Sequence, residues 1–177
     1  FSLENIGENK TIKENKIEIA MISRYMVEKG INFFLGSKVA IINQYKELNK
    51  IINYKLIIPK NDIKKLKKEE ILELEKLNIN IIPYSNNPLL IYKNIDILVQ
   101  PSIYFEGLSR VVLEAGSLEI PIIATKNRGI VDIIRNTAEE EMWEKFHWYD
   151  PVRNGEWHEH DPCAKYKLTK IICEYTS

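Results

Sequence analysis

The sequence lacks several features that would each assign it to a class. It has only two cysteines, Cys163 and Cys173, which are too few for a disulfide framework and do not have the paired spacing of a zinc site. Its 25 basic and 25 acidic residues cancel, so nucleic acid is not an expected partner. No apolar run is long enough to cross a bilayer, and no basic-then-apolar leader opens the chain. We therefore expect a cytoplasmic protein, and leave open a peripheral association of the full-length protein with the inner face of the membrane.

What the sequence does contain is an ordinary globular composition. Hydrophobic residues make up 45% and charged residues 28% of the 177 residues, which suits one domain with a real core. The chain begins at Phe1 and not at Met. We therefore expect a fragment, in which residues 1–15 are a partial linker or the end of an upstream region.

From residue 16 to residue 135 short apolar runs alternate with longer segments of helical period. This pattern predicts an α/β fold with a Rossmann-like parallel sheet and helices on both faces. Because the strand candidates are nearly continuous apolar runs, they are expected to be buried on both sides. The strand candidates are Ile17–Ile22, Tyr54–Ile58, Ile79–Ile82, Ile95–Val99 and Pro121–Ala124, and the helix candidates are Gly30–Asn49, Lys67–Leu77, Pro88–Tyr92, Leu108–Leu118 and Ile130–Arg135.

The alternation stops after Arg135. Residues 136–177 are predicted to be a divergent C-terminal tail, for which the pattern assigns no clear structure. The cluster His158, His160, Asp161 and Cys163 lacks a recognised zinc-ligand spacing, so a solvated loop is the favoured interpretation.

An open parallel sheet binds ligands at the carboxyl ends of its strands, and the segment from Pro101 to Ala115 combines such an end with a helix start. Gly107 would let the backbone approach a ligand closely, and the amides of Leu108, Ser109 and Arg110 would form a helix N-terminus suited to a phosphate. Glu106 and Glu114 would then flank this anion site. Structural interpretations stay open: Glu106 as a helix cap, and Glu114 as a surface residue paired with Arg110.

One stretch of the chain resembles the signature of the group 1 retaining glycosyltransferases. It consists of Glu106 and Glu114, separated by seven residues, followed by Ile120–Thr125 and Gly129–Ile134. The preceding Asn94–Ser102 is similar to the family's strand and Pro-Ser turn. Ile22–Ile31 is similar to its segment of Arg, four residues and Lys-Gly. The resemblance covers residues 17–135 and implies the C-terminal, donor-binding half of the GT-B fold.

The resemblance implies a role for each site residue. Arg24 and Lys29 would hold the diphosphate of a nucleotide-sugar donor, expected to be a UDP- or GDP-sugar, and would stabilise the charge of the leaving group. Glu114 would accept hydrogen bonds from the ribose, and Glu106 would contact the transferred sugar. No metal is expected, since no Asp-x-Asp pair lies in a strand-end loop. Alone, Arg24 or Lys29 could equally be a surface cation.

The implied activity is that of a hexosyltransferase-type enzyme in bacterial polysaccharide or lipid-linked oligosaccharide synthesis. Its saccharide or lipid-linked acceptor would be held by a missing N-terminal domain, so the isolated chain is expected to be inactive. Two alternatives remain: a non-catalytic nucleotide-sugar-binding remnant, and a nucleotide-sugar epimerase of the same fold.

Overall fold

The computed structural model describes residues 16–103, 107–125, 129–130, 146–149, 152–153, 156–157 and 172. Within these residues the strands are β1 (Ile17–Ile22), β2 (Ile52–Ile58), β3 (Ile79–Pro83), β4 (Ile97–Gln100), β5 (Ile122–Thr125), β6 (Phe146–Tyr149), β7 (Val152–Arg153) and β8 (Glu156–Trp157). The α-helices are α1 (Ile31–Gln44), α2 (Lys46–Ile51), α3 (Lys60–Ile63), α4 (Lys68–Lys76), α5 (Pro88–Tyr92) and α6 (Arg110–Ser117), and a short 3-10 helix spans Val27–Lys29.

Six of the strands form one sheet in the order β3-β2-β1-β4-β5-β6. Every pairing in this sheet is parallel, while β7 and β8 pair with each other as a small antiparallel ribbon. The order reverses between β1 and β4, because the chain first builds the sheet outward through β2 and β3 and then returns to the other side of β1. The predicted Rossmann-like α/β fold is confirmed.

The sheet is buried on both faces, because successive residues of a strand point to opposite sides. In β1, Ile19 and Met21 belong to one core, whereas Ala20 and Ile22 belong to the other. The first core includes Phe33, Phe34 and Ile41 of α1, and the second includes Val112 and Ala115 of α6. This double burial explains the nearly continuous apolar strands.

The five predicted strands are present: β1 has the predicted boundaries, and those of the other four differ by one or two residues. β4 begins at Ile97 and not at Ile95, because the amide of Ile95 bonds the carbonyl of Tyr92 and continues the turn after α5. The single helix predicted at Gly30–Asn49 is two helices. Tyr45 separates them with φ −128° and ψ 59°, which is not a helical conformation.

The sheet also extends past the predicted boundary at Arg135. β6 pairs in parallel with β5, with Phe146 opposite Ile122 and Tyr149 opposite Thr125. Its sequence, Phe-His-Trp-Tyr, contains none of the aliphatic residues that predominate in the five predicted strands, so the apolar pattern did not predict it.

Several sequence predictions fall outside the described residues. These are the linker at 1–15, the helix Ile130–Arg135 beyond Ile130, and the cluster at His158–Cys163. In the part of the chain that the structure describes, no helix is long and apolar enough to span a membrane.

Candidate functional site

A cleft of about 380 Å³ opens where the strand order reverses, at the carboxyl ends of the central strands. The loops after β1 and β4 diverge there, which is the ligand-binding position expected of an open α/β sheet. The cleft is lined by Ile22, Ser23, Arg24, Lys29, Pro59, Tyr84, Gln100, Leu108, Ser109, Arg110, Val111 and Glu114.

Two hydrogen bonds join the segment after β1 to the segment after β4, before the chain continues to α1 on one face of the sheet and to α6 on the other. The amide of Ile103 donates to the carbonyl of Glu28 at 2.9 Å, and the Ser102 hydroxyl donates to the same carbonyl at 3.4 Å. Gly30 has φ +78°, and a Cβ on it would lie 1.9 Å from the carbonyl oxygen of Pro101. Only glycine suits both this left-handed backbone and this close approach, so Gly30 sets the distance between the two loops.

Arg24 follows β1 and is oriented by Asp62 of α3. Its Nε and Nη2 donate to the two carboxylate oxygens of Asp62 at 3.4 and 3.5 Å, and the amide of Tyr25 donates to the same carboxylate at 3.2 Å. The Arg24 side chain is 61% exposed, whereas that of Asp62 is 9% exposed. A buried carboxylate therefore directs an exposed guanidinium along the rim of the cleft.

The environment of Asp62 favours its charged form. Burial by itself would raise the pKa of this carboxyl. The hydrogen bonds from Arg24 and the Tyr25 amide, with the charges of Arg24 and Lys65, outweigh burial and hold the pKa below the ordinary value of 3.8. Asp62 is thus an ionised anchor for Arg24.

The N-terminus of α6 supplies a second group of donors. The first hydrogen bond at this end runs from the amide of Leu113 to the carbonyl of Ser109, so the amides of the preceding turn are available. The Ser109 side chain makes no capping hydrogen bond to this helix. Ser109, Arg110 and Val111 all line the cleft, so this helix end presents partial positive charge to it.

Glu114 lies one turn further along α6, and Tyr92 of α5 holds its carboxylate. The Tyr92 hydroxyl donates to Oε2 of Glu114 at 2.9 Å. Burial raises the pKa of Tyr92, and the hydrogen bond to Glu114 and the charge of that carboxylate raise it further, so the phenol remains a proton donor. The alternative ion pair between Arg110 and Glu114 is not present among the described salt bridges; Glu114 is held by Tyr92 instead.

The structure brings most of the predicted site residues together. Arg24, Lys29, Leu108, Ser109, Arg110 and Glu114 line the one cleft. Gly107 is exposed, does not line the cleft, and has no protein atom within 4 Å of the position of a Cβ. Glu106 lies outside the described residues. Among the described lining residues three are cations and one is a carboxylate, so the cleft favours an anion.

Sequence reasoning missed Asp62, Tyr92 and Gln100. Asp62 lies in the Lys-rich stretch 60–68, whose composition is typical of a solvated loop and helix start; the stretch contains α3 and turns the Asp62 carboxylate inward. Tyr92 was missed because in the sequence it is one more residue of a short apolar helix candidate. A polar residue ending an apolar strand was the available signal for Gln100.

Comparison with known proteins identifies the family of the chain. The sequence profile of the family described as "Glycosyl transferases group 1" matches residues 3–149, and so continues past residue 135, where the motif resemblance ends. The chain is 27% identical over 135 residues to the capsular polysaccharide biosynthesis glycosyltransferase CapM of Staphylococcus aureus. That match covers 72% of this chain and 32% of CapM, so the chain spans about a third of the length of this relative.

Solved structures share the fold. Anabaena Alr3699/HepE, in complex with UDP and glucose, matches with a TM-score of 0.61 and 16% identity over 90% of this chain and 38% of HepE. The C-terminal domain of LpcC, a glycosyl transferase group 1 family protein from Francisella tularensis, matches with a TM-score of 0.61 and 19% identity over 89% of this chain and 74% of the LpcC chain. With the family profile covering most of its residues, the chain belongs to the group 1 glycosyl transferases and has the Rossmann-like fold of a C-terminal GT-B domain.

Proposed function

We propose that this chain binds the nucleoside diphosphate part of a nucleotide-sugar donor, and that the full-length protein transfers the sugar to an acceptor. The observation that carries this proposal is the composition of one cleft. Arg24, Lys29 and Arg110 line it together with the N-terminus of α6 and the carboxylate of Glu114. Cations and helix amides suit a diphosphate, and a fixed carboxylate suits a diol.

The same groups suit catalysis of sugar transfer. When the bond between the sugar and the diphosphate breaks, negative charge develops on the departing diphosphate. Fixed cations and helix amides stabilise that charge more in the transition state than in the ground state, which lowers the barrier. In this proposal Arg24 and Lys29 contact the diphosphate without a metal ion, the amides of Leu108, Ser109 and Arg110 add further contacts, and Glu106 contacts the transferred sugar.

Glu114 is assigned to the ribose. A carboxylate can accept hydrogen bonds from two neighbouring hydroxyls at once. Its Oε2 already accepts from Tyr92, which fixes the plane of the group before a ligand arrives. This arrangement favours ribonucleotides over deoxyribonucleotides.

The finer assignments are part of the same proposal. Because HepE was solved with UDP and with UDP-glucose, UDP-sugars are the first donors to test and GDP-sugars the second. CapM belongs to capsular polysaccharide biosynthesis, which supports a saccharide or lipid-linked acceptor held by an N-terminal domain. We propose a hexosyl transfer with retention of configuration.

Calorimetric titration of the 177-residue chain with UDP, GDP and UDP-glucose, with Mg²⁺ and with EDTA, tests the binding step. Glu114→Ala should weaken the preferred nucleotide about tenfold or more, since hydrogen bonds to a charged group contribute about 1.5–3 kcal/mol. The loss should be small for the 2′-deoxy analogue. Glu75→Ala removes an exposed glutamate of α4 and should leave the affinity unchanged. Equal affinity of wild type and Glu114→Ala for the ribonucleotide contradicts the ribose assignment.

Assays of the full-length protein distinguish the transferase from the epimerase and from the non-catalytic remnant. Transfer of sugar from the donor to a saccharide acceptor supports the transferase. Interconversion of one nucleotide sugar into another supports the epimerase, and tight binding with neither reaction supports a non-catalytic remnant.

A further inference from the structure

Gln100 is a polar residue at a buried position of the sheet, where an apolar side chain is expected. All four residues of β4 are buried. Ile97 and Val99 belong to one core and Leu98 to the other, so strand alternation directs Gln100 to the α6 side of the sheet. Its side chain is only 2% exposed.

The described residues leave the hydrogen bonding of the Gln100 carboxamide incomplete. Its Oε1 is buried and has no hydrogen-bond partner among the described residues. The buried Ser37 hydroxyl, in contrast, has partners: it bonds the Phe34 carbonyl at 2.8 Å and the Tyr54 hydroxyl at 3.1 Å. Glu18 Oε2 also has no hydrogen bond, yet it lies 3.1 Å from the ammonium of Lys55. A buried acceptor without any partner destabilises a fold, so its presence needs another explanation.

The position of Gln100 provides that explanation. It lines the cleft at the carboxyl end of β4, together with Arg24, Arg110 and Glu114. A ligand in the cleft would therefore lie beside a side chain whose buried oxygen has no hydrogen-bond partner among the described residues.

The chemistry of the Gln100 oxygen limits which group of a ligand can bind to it. Oε1 can only accept a hydrogen bond, and an ionised diphosphate has no proton to donate. A nucleotide sugar carries its donors on the hydroxyls of the ribose and of the transferred sugar, and on the N–H groups of its base. The cations of the cleft suit the phosphates. Glu114, which suits hydroxyls, lines the same cleft as Gln100, so a hydroxyl is the donor expected at Gln100.

We propose that Gln100 is a specificity-determining residue of the donor cleft, whose carboxamide oxygen accepts a hydrogen bond from a hydroxyl of the ribose or of the transferred sugar. This inference rests on the proposed binding of a nucleotide sugar and adds a residue to it. Ligand binding completes the hydrogen bonding of a side chain that the described residues leave unsatisfied.

The test compares two substitutions that remove the carboxamide and keep the volume, Gln100→Leu and Gln100→Met. Each is measured by thermal unfolding without ligand and by calorimetry with UDP, 2′-deoxy-UDP, 3′-deoxy-UDP and UDP-glucose. Ser37→Ala is the matched control, because it removes a buried polar group whose partners are present.

We expect stability and binding to change in opposite directions. Both Gln100 variants should unfold at the wild-type temperature or about 2–4 °C above it. They should bind the hydroxyl-bearing ligand about fivefold more weakly, the effect of one lost neutral hydrogen bond. Ser37→Ala should unfold at a lower temperature and bind as the wild type does.

The ligands identify which hydroxyl Gln100 contacts. A loss with UDP that disappears with one deoxy analogue assigns Gln100 to the ribose. A loss with UDP-glucose but not with UDP assigns it to the transferred sugar. Both results support the inference.

Three results overturn the inference: wild-type affinity of both variants for every ligand, an equal loss for all four ligands, or lowered stability of both variants. If the wild-type chain binds none of the ligands, the proposed function fails and this inference fails with it. If the wild type binds and the variants match it, only the role of Gln100 is refuted.

Discussion

Replacing Gly30 by alanine tests whether the contact between the two central loops shapes the domain. Gly30 lies between the 3-10 helix Val27–Lys29 and α1, with φ +78°. An added Cβ would lie 1.9 Å from the carbonyl oxygen of Pro101 and 2.6 Å from its carbonyl carbon. Both atoms belong to backbone, so no side-chain rotation can relieve the overlap.

The expected loss of stability has two parts. A left-handed conformation costs a residue with a Cβ about 1–2 kcal/mol relative to glycine. Moving Pro101 away would also stretch the adjacent hydrogen bond from the Ile103 amide to the Glu28 carbonyl, which contributes about 1 kcal/mol. We therefore expect Gly30→Ala to lower the free energy of unfolding by about 2–3 kcal/mol or more.

Urea denaturation followed by circular dichroism measures this loss. With a slope of about 1–3 kcal/mol per molar urea, the midpoint should fall by about 0.7–3 M. Gly116→Ala is the matched control, since Gly116 lies inside α6 and an added Cβ would have no neighbouring atom within 4 Å. Alanine has the higher helix propensity, so this variant should be as stable as wild type or up to about 1 kcal/mol more stable.

The nucleotide affinity of Gly30→Ala should fall as well, because Lys29 and Arg24 lie on the loop that must move. A Gly30→Ala variant with wild-type midpoint and wild-type affinity would refute the argument that the approach of Gly30 to Pro101 positions the cleft. A drop in both glycine variants would instead point to a general sensitivity of the fold.

Two further substitutions test the residues that orient the charged groups. Tyr92→Phe should weaken nucleoside diphosphate binding about 3- to 10-fold, because Glu114 loses the hydrogen bond that holds its carboxylate. In a Glu114→Ala background the same change should have little effect on affinity. An undiminished effect there would show that Tyr92 acts independently of Glu114. Asp62→Asn should flatten the acid side of the stability profile. The folded-state pKa of Asp62 lies below its ordinary value of 3.8, so its stabilising contribution is present above pH 3.8 and is lost as the pH falls through the folded-state pKa. Urea midpoints between about pH 5 and pH 2 measure this, and equal slopes for wild type and Asp62→Asn would contradict an ionised anchor for Arg24.

Much of the fold was predictable because the sheet is buried on both faces. Such strands are apolar at nearly every position, so Ile17–Ile22 and Ile79–Ile82 were visible as apolar runs with one polar residue each. β6 was not visible in this way, because Phe146–Tyr149 mixes aromatic and polar residues. The break at Tyr45 was also hidden, since the apolar spacing of Gly30–Asn49 continues across it.

The candidate site was predictable where one segment carries several of its groups. Arg110 and Glu114 lie on one short helix after a strand end, and the likeness of Glu106–Ala115 to a family signature drew attention to that helix. The partners of these groups were not predictable, because they come from distant parts of the chain. Asp62 lies 38 residues from Arg24, and Tyr92 lies 22 residues from Glu114.

The sequence by itself determined most of the elements, the class of fold and the residues that follow the predicted strands, because hydrophobic periodicity and local backbone preferences act over a few residues. Only the tertiary structure decided which of those residues share a cleft and which hydrogen-bond partners they have. Strand order places β1 beside β4, and this pairing alone brings Gly30 against Pro101 and places Arg24 and Glu114 in one cleft. It also leaves the buried oxygen of Gln100 without a partner among the described residues, since hydrogen bonding at a buried position depends on neighbours that are far apart in the chain.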